Sequence, residues 1–442
     1  MSAAWTLSQA GVEVEIVEAG SKLGGLAGTF EEADAFYPLA YHHILHRDQT
    51  LLWFLDKMGV LPTVRWRKIK MLFHLDERLW DLGHPWDFAR FPMSLTDKLR
   101  FTRMMVRAFR KSDWSDWLDR SAEELVDSWA GPGVRNAIFE RLSQLKFRMP
   151  CSDVSAAWLG ARLHFREGSS PFGYIPGTNW TMALCDGLTE LLRQSGVRIL
   201  TGRKIDRIRT EFGRIQEVVC TDGTTLSGQH YVSALPTEVY RSLIKQDETK
   251  HLFDIRYTAI LSGICSTRQP IAPEFYWMNL ATLKQSANGI FRLESLNPSI
   301  GRPGESTINF VTHLPSRDHV DFGLSDDEIW DGYLKDFKSV FGFDLKPDWK
   351  RLLRLPLYSP VFHRGYRNPA VRSESWPQLY FAGNYRTFPS IASTGTALAS
   401  GVEAAEACLK TIGERCTISD QISQFKLRSM PASKERRATS TA

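Results

Sequence analysis

From Val12 to Val17 the chain alternates apolar and charged side chains (VEVEIV), the period-two pattern of a strand with one buried face. Just before it, Ala3 to Gln9 is rich in helix formers, and Gly11 supplies the stop, so the opening predicts helix then strand. Residues 50–59 (TLLWFLDKMG) predict a second helix. From about 61 to 170 the chain is Trp- and Arg-rich and reads as mostly helical. Its clearest piece is SLTDKLRFTRMMVRAFRK, capped by Ser94, with Leu95, Leu99, Phe101, Met105 and Phe109 as the apolar set. YIPGTNWTMALCDGLTELLRQSG predicts a turn and an amphipathic helix closed by Gly196. VRIL, KIDRIRTE, IQEVVCTDG and TTLSGQHYVSALP then read as successive strands between glycine-centred turns. Residues 250–345 alternate strand-like runs (AILSGICS, STINFVTHL) with a helix near 325–341. LYFAGNYRTFPSIASTGTALASGVEAAEACL reads as strand, loop, helix, and the Ser/Thr/Lys/Arg-rich stretch 413–442 reads as a disordered basic tail.

Composition narrows the class. The 442 residues suffice for two or three domains. With 43% apolar and 24% charged residues, disordered, collagen-like and disulfide-scaffold chains are excluded. No apolar run is long enough to span a bilayer, and no secretory signal is visible. The six cysteines are scattered without a CxxC pair, which predicts reduced, mostly buried thiols and a cytoplasmic protein without a metal site. The net charge is +5, and the tail carries six Lys/Arg against three acids, so the body keeps little excess. Nucleic-acid binding is not expected.

A dinucleotide-binding βαβ unit needs a glycine-rich turn, a helix N-terminus facing the phosphates, and an acid at the end of the second strand for the ribose hydroxyls. The helix, the second strand and the acid are present, the last as Glu18. The first strand and the G-x-G-x-x-G turn are not in this sequence, which begins inside the helix. The first strand of such folds lies inside the sheet, so VEVEIV is expected to expose an unpaired apolar edge.

The stretch EAGSKLGGLAGTF, which starts at Glu18, resembles the second glycine cluster of the flavoprotein family that includes amine oxidases, protoporphyrinogen oxidase and phytoene desaturases. Gly24, Gly25 and Gly28 match its glycines, which let the chain pass close to the cofactor. The run from Tyr174 to Pro236 resembles the family's middle segment, which implies that Ile205 packs near the adenine. LYFAGNYRTFPSIASTGTALASGVEAA resembles its C-terminal cofactor motif, which implies flavin contacts for Gly383 and Asn384. By the same resemblance Tyr385 and Arg386 lie near the flavin, Arg386 at the pyrophosphate or the ring. Met1-Ser2-Ala3-Ala4-Trp5 resembles the residues that follow the third glycine of the missing loop. Met1 is therefore expected to be an internal methionine, with a real truncation as the rival, and the chain as written is expected to hold flavin weakly.

The resemblance implies an α/β fold: a Rossmann-like FAD-binding domain of the glutathione-reductase type (1–60, 172–245 and 350–412) with an inserted α+β substrate domain (61–171 and 246–349). It implies an FAD-dependent oxidoreductase that takes hydride from an apolar or amphipathic small-molecule substrate. No cysteine sits in the Ser-Gly-Gly-Cys context of covalent flavin attachment, so non-covalent FAD is expected. His42 and His43, in the stretch Tyr41 to His46, occupy a position that in relatives leads onto the flavin face. They are candidate proton acceptors or flavin partners, against the plainer reading of loop histidines. Tyr276 and Trp277, at the end of a substrate-domain strand, are candidates for a flat apolar cavity wall, against core packing. The Lys98–Lys111 stretch is a candidate for peripheral membrane contact, against a solvated helix face. Two alternatives stay open: a redox-neutral flavoenzyme of the UDP-galactopyranose mutase type, and a flavin-free truncated non-enzyme.

Overall fold

The computed structural model describes residues 1–165, 171–244, 255–281 and 285–425. Its largest feature is a seven-stranded sheet in the spatial order Trp349–Pro360, Tyr257–Thr267, Ser306–Leu314, Gly289–Arg292, Trp277–Leu280, Met71–Leu75, Arg78–Trp80. Every neighbouring pair is antiparallel except Trp277–Leu280 with Met71–Leu75. Strand alternation sorts the side chains by face: Ala259, Leu261 and Cys265 point to one cluster, Ile260 and Ile264 to another. The first cluster is covered by the helix Asp326–Phe341, whose Tyr333 ring stacks on Phe310 at 5.1 Å. A Ser325–Glu328 capping box starts this helix and Gly342, in the left-handed region, ends it. The second cluster includes Tyr37, Tyr276 and Phe291, and the partly buried Tyr41 and Trp277 pack against it.

The strands of residues 65–80 correct the mostly helical expectation for 61–170. Arg65–Arg67 pairs with Phe172–Tyr174, and Met71–Leu75 and Arg78–Trp80 extend the large sheet. Helices do dominate from Leu95 onward: Leu95–Arg110, Ala122–Trp129, Glu140–Phe147 and Ala156–Phe165. Ser94 caps the first of these by accepting from Asp97 N, as expected. Its buried face, however, runs through Met104 and Ala108, while Leu95 and Leu99 are 74% and 65% exposed.

Two parallel strand pairs make up a second region. Glu15–Val17 pairs with Arg198–Leu200, and Tyr231–Ser233 pairs with Leu379–Phe381. The VEVEIV strand is thus shorter than its pattern. Among the described residues no ladder joins the two pairs, and both line one cavity. They are tied together by helix packing. Ser2–Gln9 lies on Thr394–Thr411, closely enough that a Cβ on Gly401 would sit 2.2 Å from Ser2 Oγ. The helices Gln49–Lys57 and Trp180–Gln194 complete this region, the second capped by Asn179 through Thr181 N.

The strands Ile205–Glu211, Arg214–Cys220 and Thr225–Leu226 form a three-stranded meander. All six cysteines are free and five are buried, in line with the sequence. Within the expected disordered tail, Ile418–Gln424 is a helix with Ile418 and Ile422 buried. The rest of that tail, 426–442, lies outside the described residues. No helix among the described residues is long and apolar enough to cross a membrane.

Candidate functional site

A cavity of about 1610 Å³ runs between the two parallel strand pairs and on to the large sheet. Ordinary small-ligand pockets span roughly 300–1,000 Å³, so there is room for a dinucleotide and a second molecule. Glu18 ends its strand at the cavity wall, with Oε1 accepting from Gly20 N at 2.6 Å. Gly24 and Gly25 line the same wall. Gly24 has φ +134°, and a Cβ there would lie 2.7 Å from Cys185 Sγ, so no other residue fits this turn. Gly28 sits off the cavity against Leu39.

From the far end of the chain, Gly383 (φ +143°) and Asn384 reach the same space; Gly383 N donates to Ser400 Oγ at 2.9 Å. Ile205 enters from the meander. Residues that the sequence presents in three distant blocks therefore meet at one surface.

His42 and His43 lie on the wall nearer the large sheet. His42 Nε2 donates to Leu26 O at 2.9 Å, and burial holds its pKa below the ordinary histidine value. A neutral ring with the proton on Nε2 leaves the Nδ1 lone pair as its acceptor. His43 stacks with Trp277, centroids 5.9 Å apart and planes 15° apart. Trp277 is on the wall, whereas Tyr276 is 2% exposed among His43, Phe172 and Phe291. Of the expected aromatic pair only Trp277 lines the cavity; Tyr276, just before the strand, is buried behind it in the same ring cluster, both rings packing on His43 and Phe291. Tyr385 touches the cavity by one edge of an otherwise buried ring.

Arg386 is not on this surface. Its guanidinium donates to Phe381 O, Pro369 O and both oxygens of Glu403, and the side chain is 5% exposed. It braces the loop after Leu379–Phe381 from behind. Arg386→Met should therefore cost about 2 kcal/mol, because two carbonyls lose a buried donor. It should leave the ligand content of the folded fraction unchanged; urea denaturation and absorbance of the folded protein measure the two effects.

Sequence reasoning missed several residues on the cavity wall nearer the large sheet. Tyr41, Lys146, Arg162 and Tyr358 line the cavity, and His313 lines a side chamber of about 180 Å³. Only Arg162 had a signal in the sequence, a single basic residue inside the apolar helix AAWLGARLHF.

The family model of flavin containing amine oxidoreductases matches residues 1–409. The 15-cis-phytoene desaturase of Capsicum annuum is 20% identical over 457 residues, covering 93% of this chain and 76% of that protein. A proposed protoporphyrinogen oxidase from Exiguobacterium sp. 255-15 superposes with a TM-score of 0.72 at 16% identity, over 93% of this chain and 95% of that one. Reduced UDP-galactopyranose mutase also superposes at 0.72, with 14% identity, over 96% and 95%.

Proposed function

We propose that this chain, which belongs to the flavin containing amine oxidoreductase family, holds FAD non-covalently in the 1610 Å³ cavity and oxidises an apolar or amphipathic small molecule there. In this reading residues 1–60, 172–245 and 350–412 form a Rossmann-like cofactor half, and 61–171 with 246–349 form the substrate half. One observation carries it: Glu18, Gly24, Gly25, Ile205 and Gly383 all line this one cavity. The lining suits a dinucleotide, with a carboxylate for ribose hydroxyls and, at Gly24, a glycine where a Cβ would clash.

When bound, the flavin supplies the hydride acceptor. The protein's part is placement and exclusion of water. Glu18 anchors one end, and Gly24 and Gly25 let the backbone reach the phosphates. Trp277 and Tyr41, rings 5.9 Å apart and tilted 44° to each other, line a dry space for the substrate, Tyr41 stacking on Phe291 at 4.0 Å. His42, neutral at physiological pH, can take a proton at Nδ1 as the substrate is oxidised. Dioxygen or another acceptor completes the cycle. The exposed Trp86, Leu95 and Leu99, near the basic Lys98 and Arg103, supply a peripheral membrane contact in the same reading.

The test is the visible spectrum of the purified chain, followed by peroxide release with amines, porphyrinogens and polyenes. Flavin taken up when FAD is added, held weakly and released on heat denaturation, is the expected result. A folded, colourless protein that refuses added FAD overturns the proposal. A second reading, a redox-neutral sugar-nucleotide mutase, is supported by the likeness of fold to reduced UDP-galactopyranose mutase. Turnover of a sugar nucleotide only after flavin reduction would select it.

A further inference from the structure

On the substrate side of the cavity stand two cations with no carboxylate partner among the described residues. Lys146, near the end of the helix Glu140–Phe147, and Arg162, in the helix Ala156–Phe165, both line the main cavity and also the 180 Å³ side chamber. Among the described residues their side chains make weak contacts to rings: Lys146 Nζ lies 5.5 Å from the Phe147 centroid and the Arg162 guanidinium 5.7 Å from that of Trp158. No carboxylate among the described residues acts on either; the Arg162 charge acts on Lys146, and Tyr41 and Tyr358 act on Arg162. Burial pulls the Lys146 ammonium down to about 7 and lowers the Arg162 guanidinium as well.

His313 adds a third unmet polar group. It is 7% exposed, lines the side chamber, and its Nδ1 has no hydrogen-bond partner among the described residues. Asn279 and Asn288 line the chamber too, and the rest of its wall is mostly apolar, with Phe139, Leu142, Leu159 and Val311. Two other buried cations are matched: Arg292 by Glu294 at 2.9 Å and Arg386 by Glu403 at 3.0 Å.

Desolvated charges persist in proteins when something pairs with them. We propose that Lys146 and Arg162 bind the anionic group, carboxylate or phosphate, of an amphipathic ligand whose apolar body fills the side chamber. His313 and the two asparagines are placed to take further polar contacts from that ligand. The site selects against cationic amines, which two uncompensated cations repel, and gives an uncharged polyene nothing to hold at this point. The ligand's identity as substrate rests on the oxidoreductase reading above; the anion site itself does not.

The test uses four fluorescent probes with one aromatic body: 2-naphthoate, 2-naphthyl phosphate, methyl 2-naphthoate and 2-naphthylmethylamine. Binding to the full chain is measured by titration, and flavin content is read by absorbance in the same samples. One or both anions should bind at least tenfold more tightly than the neutral ester, and the amine most weakly. The tighter of the two anions identifies carboxylate or phosphate. Arg162→Met and Lys146→Met should each remove most of the anion's advantage while the ester's affinity changes less than twofold, which also shows that the variants are folded. If either variant fails to fold, the ranking of the four probes on the unaltered chain decides.

Equal binding of ester and anions, or preference for the amine, overturns the proposal. A colourless protein that still discriminates the anion keeps this site and removes the flavin reading. A yellow protein that does not discriminate removes this site alone.

Discussion

Gly24→Ala is expected to yield a protein with at most a tenth of the flavin content of the unaltered chain, and less stable by about 2–3 kcal/mol. Two costs add at this position. The backbone sits at φ +134°, which an L-residue adopts only under strain, and the new methyl would lie 2.7 Å from Cys185 Sγ. Cys185 belongs to the helix Trp180–Gln194, which packs under the cavity wall, so relief means moving the wall itself. Gly25→Ala is the informative comparison. Gly25 has φ +53° and nothing within 4 Å of its would-be Cβ, so only about 1 kcal/mol of backbone cost applies. Flavin absorbance per protein and thermal denaturation of the two variants separate steric from conformational effects. Retention of full flavin by Gly24→Ala would mean that the cofactor does not approach this turn.

The second large effect lies away from the cavity. Gly160→Ala should destabilise the protein by about 3 kcal/mol, at the upper end of ordinary overpacking. A Cβ at Gly160 would lie 2.2 Å from two carbons of the Trp114 ring. That ring is 2% exposed and wedged against Trp129 at 5.7 Å, so it has nowhere to retreat. Adding Trp114→Leu to Gly160→Ala should recover part of the loss, because the two positions share one space and their effects are not additive. Urea denaturation of the single and double variants checks this; a double variant no better than the sum of the singles would show that the clash is not the cause.

The glycine-lined part of the cavity was legible in sequence because its constraints are local. A strand ending in Glu18, paired glycines, and a strand followed by a small-residue helix each carry their signature within a few residues. The rest was not, for reasons visible in particular residues. Arg65–Trp80 pairs with strands from elsewhere in the chain, and its short runs lack an alternation that betrays this. Lys146 and Arg162 come together only when two helices pack, so nothing in either segment announces the other. Arg386 was assigned to the cofactor from its place after Phe381-Ala382-Gly383. The Glu403 carboxylate that captures it is one face of a helix away, a pairing that linear order hides. Tyr276 and Trp277 look alike as neighbours, yet within one ring cluster Tyr276 is covered by Phe172 and Phe291 while Trp277 reaches the cavity.

The two parallel strand pairs beside the cavity share no backbone ladder and meet through the seat of Ser2–Gln9 on Thr394–Thr411. A hinge of packed helices transmits displacement differently from a hydrogen-bonded sheet: it yields by sliding. Small changes in side-chain bulk along that seam, at Ser2 or Gly401, would widen or narrow the slot between the walls without unfolding either one, and because both residues also line the cavity the same change would be felt by whatever occupies it.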